Sequence, residues 1–290
     1  MHWIDYVSPH SVREATEVLA ERGENARMLA GGTDVLILLR EGVLDNVNFV
    51  VDVKSIPELN EITYDPETGL TLGAAVPCYK IYNDDAVAKA YPGLIDAASL
   101  IGGTQIQGRA SLGGNLCNAA PSGDSIPVMI ALGGVANIAG PGGERSVPVE
   151  DFCTAPGKTV LQAGEMLVSL NFPPPAPHSG ACYLRFIPRN EMDIAVTGAG
   201  VSVVLNNGDI QSARVSLASV APTPLFVKKA GDALAGKPAT EESVRIASEL
   251  ARDAAKPITD MRGTMEYRKH LCEVLTRRAL LTAIERAKEA

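Results

Sequence analysis

Two glycine pairs, Gly31-Gly32 and Gly113-Gly114, are the residues of this 290-residue chain best suited to holding a charged small molecule. A residue without a Cβ admits positive φ and lets a ligand approach the main chain, so successive N–H groups can converge on one anion. Small polar residues follow each pair, Thr33-Asp34 after the first and Asn115 after the second. Two such bends in one domain predict a diphosphate gripped from two sides, while each taken singly also fits a plain tight turn. The second pair lies in "GRASLGGNLCNAAPSGD", residues 108–124, which reads as one continuous loop ordered around a polar ligand. Ser111, Asn115, Asn118 and Ser122 offer hydroxyl and amide groups there, and Asp124 offers a carboxylate to sugar hydroxyls.

Other apparent motifs lack their chemical context. "CTAPGKT", residues 153–159, contains Gly-Lys-Thr, but a phosphate-binding P-loop needs glycine where Phe152 stands and a helix afterwards. "TGAGVSVV", residues 197–204, continues as a strand and offers no helix start to a pyrophosphate. Ser111 stands beside glycines without spelling the GxSxG of a nucleophile elbow. Five cysteines (Cys78, Cys117, Cys153, Cys182, Cys272) are widely spaced with no CxxC pair, and His2, His10, His178 and His270 are scattered. The expectation is a chain with reduced thiols, ordinary surface histidines and no metal or iron-sulfur ligands of its own.

The elements that must hold the glycine pairs can be read from period and punctuation. Val12, Ala15, Val18 and Leu19 predict a helix after an N-cap at Ser11, stopped by Gly23. A strand over residues 28–30 breaks at Gly31-Gly32, a helix starts at Thr33 or Asp34, and a buried strand follows over residues 49–53, together a small βαβ unit. From Glu61 the texture changes to short β stretches ("EITYD", "GLTLGAAV", "GVANIAG", "MLVSLNF") interrupted by helical "AVAKAYPGLIDAASLIG" and "SIPVMIALG", which predicts a mixed sheet. The proline run "PPPAPHSG", residues 173–180, marks a domain boundary. Beyond it, apolar alternation around Asn206-Asn207-Gly208-Asp209 predicts a hairpin within three antiparallel strands, and the remainder is helical.

Bulk properties narrow the field. A formal charge of -8 argues against nucleic acid. No apolar run approaches the roughly 20 residues that span a bilayer, and "MHWIDYVSPHS" has no signal-peptide pattern. Hydrophobic residues at 46% and charged ones at 21% suit an ordinary globular protein. A cytoplasmic location is expected.

Four motifs in order, "MLAGGTDVL" (28–36), "GRASLGGNLCNAAPSGDSIPVMIAL" (108–132), "GEMLVSLNFP" (164–173) and "IPRNEMDIAV" (187–196), resemble the FAD-binding medium subunit of the molybdenum hydroxylases. Xanthine dehydrogenase and aerobic carbon monoxide dehydrogenase belong to that family, and the resemblance runs the length of the chain. It implies an α+β fold with a PCMH-type (vanillyl-alcohol-oxidase-like) FAD-binding domain over 1–176, in subdomains of about 1–57 and 58–176. A C-terminal domain over 177–290, a three-stranded antiparallel sheet with a helical bundle, would follow.

Carried onto this sequence, the resemblance implies that Ala30, Gly31, Gly32, Thr33 and Asp34 wrap the FAD pyrophosphate, flanked by Leu29 and Val35. Ser111, Gly113, Gly114, Asn115 and Asn118 would serve the phosphates and ribityl chain, and Asp124 a sugar hydroxyl. Ile101 would lie near the adenine, Leu167 beside the isoalloxazine, Arg185 at a basic position near the ring, and residues 187–193 beside the flavin face. It further implies two [2Fe-2S] clusters on a small partner, molybdopterin-bound molybdenum on a large partner, a dimer of heterotrimers and an external electron acceptor. Two other readings stay open on sequence alone: a self-sufficient FAD-dependent oxidase or reductase of the same fold, and a non-catalytic nucleotide-binding protein.

Overall fold

The structure, a computed structural model, describes residues 3–290, so the reading of His2 as an ordinary surface residue lies outside the described residues. The N-terminal elements are β1 (Asp5–Val7), α1 (Val12–Arg22), β2 (Ala26–Leu29), α2 (Val35–Arg40) and β3 (Phe49–Asp52). Ser11 caps α1 by accepting from the Glu14 amide, and Gly23 ends it at φ 55°, both as the sequence predicts. The strands form a parallel sheet in the order β1-β3-β2, because each connection crosses over through a helix. Ala15, Leu19, Val51 and Val53 fill a small core that also receives Ile56 and Leu59 from the connection after β3 and Ala75 and Met166 from the next layer.

That layer comprises β4 (Ile62–Asp65), β5 (Gly69–Gly73), α3 (Cys78–Tyr82), α4 (Asp85–Ala90), α5 (Pro92–Ala98), α6 (Thr104–Gln107), α7 (Leu112–Asn118), α8 (Ser125–Ala131), β6 (Val135–Gly140), β7 (Gly143–Pro148), β8 (Cys153–Ala155), β9 (Lys158–Thr159) and β10 (Met166–Phe172). The expected mixed sheet is antiparallel throughout, in the order β4-β5-β10-β6-β7. Strands adjacent in sequence turn back on one another, and β10 enters late to pair between them. The predicted helix over residues 86–102 divides into α4 and α5 at Pro92, which has no N–H to continue the first helix. A core of Leu70, Leu72, Leu94, Leu112, Leu116, Val128, Met129 and Phe172 lies between this sheet and the helices.

The expected continuous loop over 108–124 is corrected by the structure. Residues Leu112–Asn118 are α7, with Ser111 as N-cap accepting from the Gly114 amide at 3.0 Å. Gly113 and Gly114 therefore stand in the first helical turn and adopt no positive φ among the described residues. Gly113 answers a close approach instead: a Cβ there would meet the Ala74 carbonyl oxygen at 2.4 Å.

The remaining elements are β11 (Ser179–Phe186), β12 (Thr197–Asn206), β13 (Asp209–Ala218), β14 (Leu225–Phe226), α9 (Lys228–Leu234), β15 (Lys237–Pro238), α10 (Glu241–Ala254) and α11 (Met265–Glu289). The hairpin turn is where the sequence places it, with Asn207 at φ 52° and Gly208 at φ 90°. Short β14 and β15 extend the expected three antiparallel strands. Leucines, valines and alanines of α10 and α11 pack on this sheet in a core of their own. Among the described residues no helix is long and apolar enough to cross a membrane.

Candidate functional site

The parallel sheet and the antiparallel layer enclose a cleft of about 790 Å³ between them. Its floor is the chain reversal between β2 and α2 on one side and the start of α7 on the other. Ala30, Gly31, Gly32, Thr33, Asp34, Val35, Ile101, Ser111, Gly113, Gly114, Asn115, Asn118 and Leu167 all line it. The two glycine segments, widely separated in sequence, thus meet at one site.

Local chemistry explains the shape of the first segment. Gly32 has φ 78°, in the left-handed region that glycine enters without a Cβ penalty, and this turns the chain from β2 into α2. Gly31 lies flat against the second segment: a Cβ there would stand 2.0 Å from the Arg109 carbonyl oxygen. Arg109 Nε in turn donates to the Gly31 carbonyl at 3.1 Å. Among the described residues the amides of Gly31, Gly32, Thr33 and Asp34 donate to no acceptor within the chain. Four consecutive main-chain donors without an acceptor in the chain, lining a cleft wall, have the geometry that suits an anion.

The second segment adds oriented donors. Asn115 Oδ1 accepts from Ser125 Oγ at 2.8 Å and from the Ser125 amide at 3.3 Å, which commits its oxygen and leaves its NH2 as donor. Crowding by the cleft walls raises the Asp34 carboxyl above its ordinary range through desolvation, even though the residue keeps contact with solvent at the mouth. Apolar side chains (Leu38, Val43, Leu44, Ile101, Leu167) complete the walls. A diphosphate with an extended aromatic ring fits this set, because the free amides match the phosphates and the apolar walls match the ring.

Three sequence-predicted residues lie outside the cleft lining. Leu29 is buried beneath the loop, where its carbonyl accepts from the Val53 amide at 3.1 Å. Asp124 and Arg185 do not line the cleft but pair with each other. Asp124 is a buried carboxylate whose Oδ1 accepts from Tyr183 Oη at 2.7 Å and whose Oδ2 accepts from Arg185 Nη1 at 2.5 Å. Burial drives its pKa upward against the pull of Arg185 and Tyr183, and the Tyr183 phenol is likewise raised by its burial. The loop of residues 187–193 also lies outside the lining, although Met192 approaches Gly103.

Sequence reasoning missed part of the wall. Gly157 and Thr159, from the rejected "PGKT" stretch, line the cleft on the tight β8–β9 hairpin, which offers no helix start. Gln162, Ala163, Gly164 and Glu165 join them. The signal for this turn was Gly164, which sits at φ 79° just before β10. Cys117 also faces the cleft, with its thiol pushed up to about 12 by burial.

Comparison with known proteins agrees with this geometry. Residues 2–175 match the family model described as the FAD binding domain in molybdopterin dehydrogenase, and residues 182–283 match the CO dehydrogenase flavoprotein C-terminal domain. The chain is 33% identical over 287 residues to the xanthine dehydrogenase FAD-binding subunit of Escherichia coli O157:H7, covering 98% of each. It is 31% identical to the carbon monoxide dehydrogenase medium chain of Afipia carboxidovorans, again covering 98% of each. Among solved structures, reconstituted CO dehydrogenase from Oligotropha carboxidovorans superposes with a TM-score of 0.93 at 29% identity, covering 98% of this chain and 99% of that one. Quinoline 2-oxidoreductase from Pseudomonas putida 86 does so with a TM-score of 0.89 at 31% identity, covering 99% of each. From the free amides of the glycine loop to the C-terminal sheet and helices, the chain belongs to the family of FAD-binding flavoprotein subunits of the molybdenum hydroxylases.

Proposed function

We propose that this flavoprotein subunit passes electrons from iron-sulfur clusters of a small partner to an external acceptor, while substrate is oxidised at molybdenum on a large partner. Bound FAD supplies a ring that accepts and releases electrons, and the chain supplies its placement. The amides of Gly31, Gly32, Thr33 and Asp34 hold the diphosphate, Ser111 keeps the start of α7 in register, and Asn115 and Asn118 offer carboxamides. Ile101 and Leu167 wall off water. No side chain of this subunit moves a proton on the substrate. The four unpartnered amides facing a cleft shared by both glycine segments carry this reading.

The same reading extends to a dimer of heterotrimers in the cytoplasm, with a domain boundary at residues 176/177 and an internal one near residue 57. Purification of the native complex with a flavin, iron and molybdenum inventory tests it. Flavin absorbance with both metals in fixed ratio is the expected result. A colourless chain overturns the reading, and a flavoprotein free of both metals overturns the partner assignment.

A further inference from the structure

Two basic side chains hold carbonyls of the first glycine loop. Lys54 Nζ donates to the Ala30 carbonyl at 3.5 Å and Arg109 Nε donates to the Gly31 carbonyl at 3.1 Å. A trans peptide is planar, with its C=O and the following N–H directed oppositely. Tying the Ala30 carbonyl to Lys54 therefore aims the Gly31 N–H away from Lys54, and tying the Gly31 carbonyl to Arg109 aims the Gly32 N–H away from Arg109. Glycine at both positions would otherwise let these peptide planes rotate with little resistance.

The two cations are themselves anchored. Lys54 Nζ binds Asp52 Oδ2 at 2.6 Å, the Lys54 amide binds Asp52 Oδ1 at 3.0 Å, and Tyr6 Oη donates to Asp52 Oδ2 at 2.6 Å. Asp52 is buried at the end of β3, so Lys54 reaches the loop from a fixed post. Arg109 is fixed through its backbone, which lies against Gly31.

We propose that Lys54 and Arg109 are positioning residues for dinucleotide binding: from outside the cleft lining, they set the two glycine peptide planes that present amides to the diphosphate. This inference rests on the FAD-binding reading above.

The test uses the full chain stripped of flavin. Affinities for FAD and for ADP are measured for wild type, Arg109→Ala, Arg109→Lys, Lys54→Met and Lys54→Arg, alongside the melting temperature of each flavin-free chain. The expected result is about a tenfold loss for Arg109→Ala with FAD and ADP alike, a smaller loss for Lys54→Met across its longer contact, and recovery with Arg109→Lys and Lys54→Arg. The melting temperature of Arg109→Ala should stay near wild type, since that side chain meets solvent, whereas Lys54→Met should lower it by leaving the buried Asp52 without its cation. Unchanged affinity in Arg109→Ala and Lys54→Met overturns the proposal. So does an affinity loss in Arg109→Ala matched by a fall in its melting temperature, which makes the role merely structural. Failure of the wild-type chain to take up FAD overturns instead the reading on which the proposal rests.

Discussion

Gly31 and Arg109 exchange more than one contact: the Gly31 carbonyl accepts from the Arg109 side chain at 3.1 Å, and its Cα faces the Arg109 carbonyl so closely that a Cβ would stand 2.0 Å away. The contact joins the β2–α2 loop to the segment leading into α7, so the parallel and antiparallel layers share one cleft wall. Gly31→Ala is expected to force these backbones apart, destabilising the chain by about 1–3 kcal/mol and abolishing tight flavin uptake. Thermal unfolding and flavin fluorescence titration of the variant check both effects. A chain with wild-type stability and affinity would show that the two segments are free to separate.

Asp124 and Arg185 form a buried ion pair, with side-chain exposures of 11% and 5%. Removing one partner leaves an uncompensated charge, so Arg185→Met should cost about 3–5 kcal/mol. The double variant Asp124→Asn with Arg185→Met should recover much of that loss. Denaturant unfolding of these two variants and of Asp124→Asn alone measures the coupling, and flavin affinity should change far less than stability because neither residue lines the cleft. A large affinity loss with stability intact would restore a direct ligand role to the pair.

Ser111 is the N-cap of α7, with its hydroxyl on the Gly114 amide. Ser111→Ala should cost about 1 kcal/mol of stability. Because α7 forms one wall of the cleft, flavin affinity should fall in parallel, whereas Ser111→Asp should keep the cap yet repel a diphosphate. Stability and affinity measured together on both variants distinguish the two effects.

Burial pushes the Asp52 carboxyl upward, but hydrogen bonds from Lys54 and Tyr6 outweigh it and hold the folded pKa below 3.8. A depressed carboxylate contributes stability that is fully present above its unfolded pKa and is lost as pH falls through the folded value. Wild type should therefore lose stability relative to Asp52→Asn on acidification below about pH 4, with the difference between them flat at neutral pH. Melting curves of both proteins across the acid range read this out. A difference growing with rising pH above neutrality would contradict it.

All five thiols are held high by burial: Cys153 at about 11 and Cys78, Cys117, Cys182 and Cys272 at about 12. The thiolate is the reactive form, so the native chain should resist a thiol-labelling reagent at neutral pH and react at all five positions once unfolded. Rapid labelling of Cys117 in the native flavin-free chain would show that its place in the cleft wall is open and polar.

The helices over Val12–Arg22, Glu241–Ala254 and Met265–Glu289, the hairpin at Asn207-Gly208 and the β2–α2–β3 unit were legible in the sequence. Caps, turn residues and apolar period act over a few neighbouring positions, and the chain carries them whatever its tertiary contacts. The two glycine pairs stood out by type for the same reason, and thirteen of the sixteen expected cofactor-binding residues line the cleft. Long-range packing decided the rest. Leu112–Asn118 became a helix because its apolar face is buried by distant elements, although its composition is that of a loop. The pairing of Asp124 with Tyr183 and Arg185, which β11 brings to it from 59 and 61 residues away, was not readable along the chain. The exposed Arg109 carried no local signal at all. Its role arose only when folding set it against a glycine 78 residues earlier, because a close approach between backbones is a property of two segments and is written in neither.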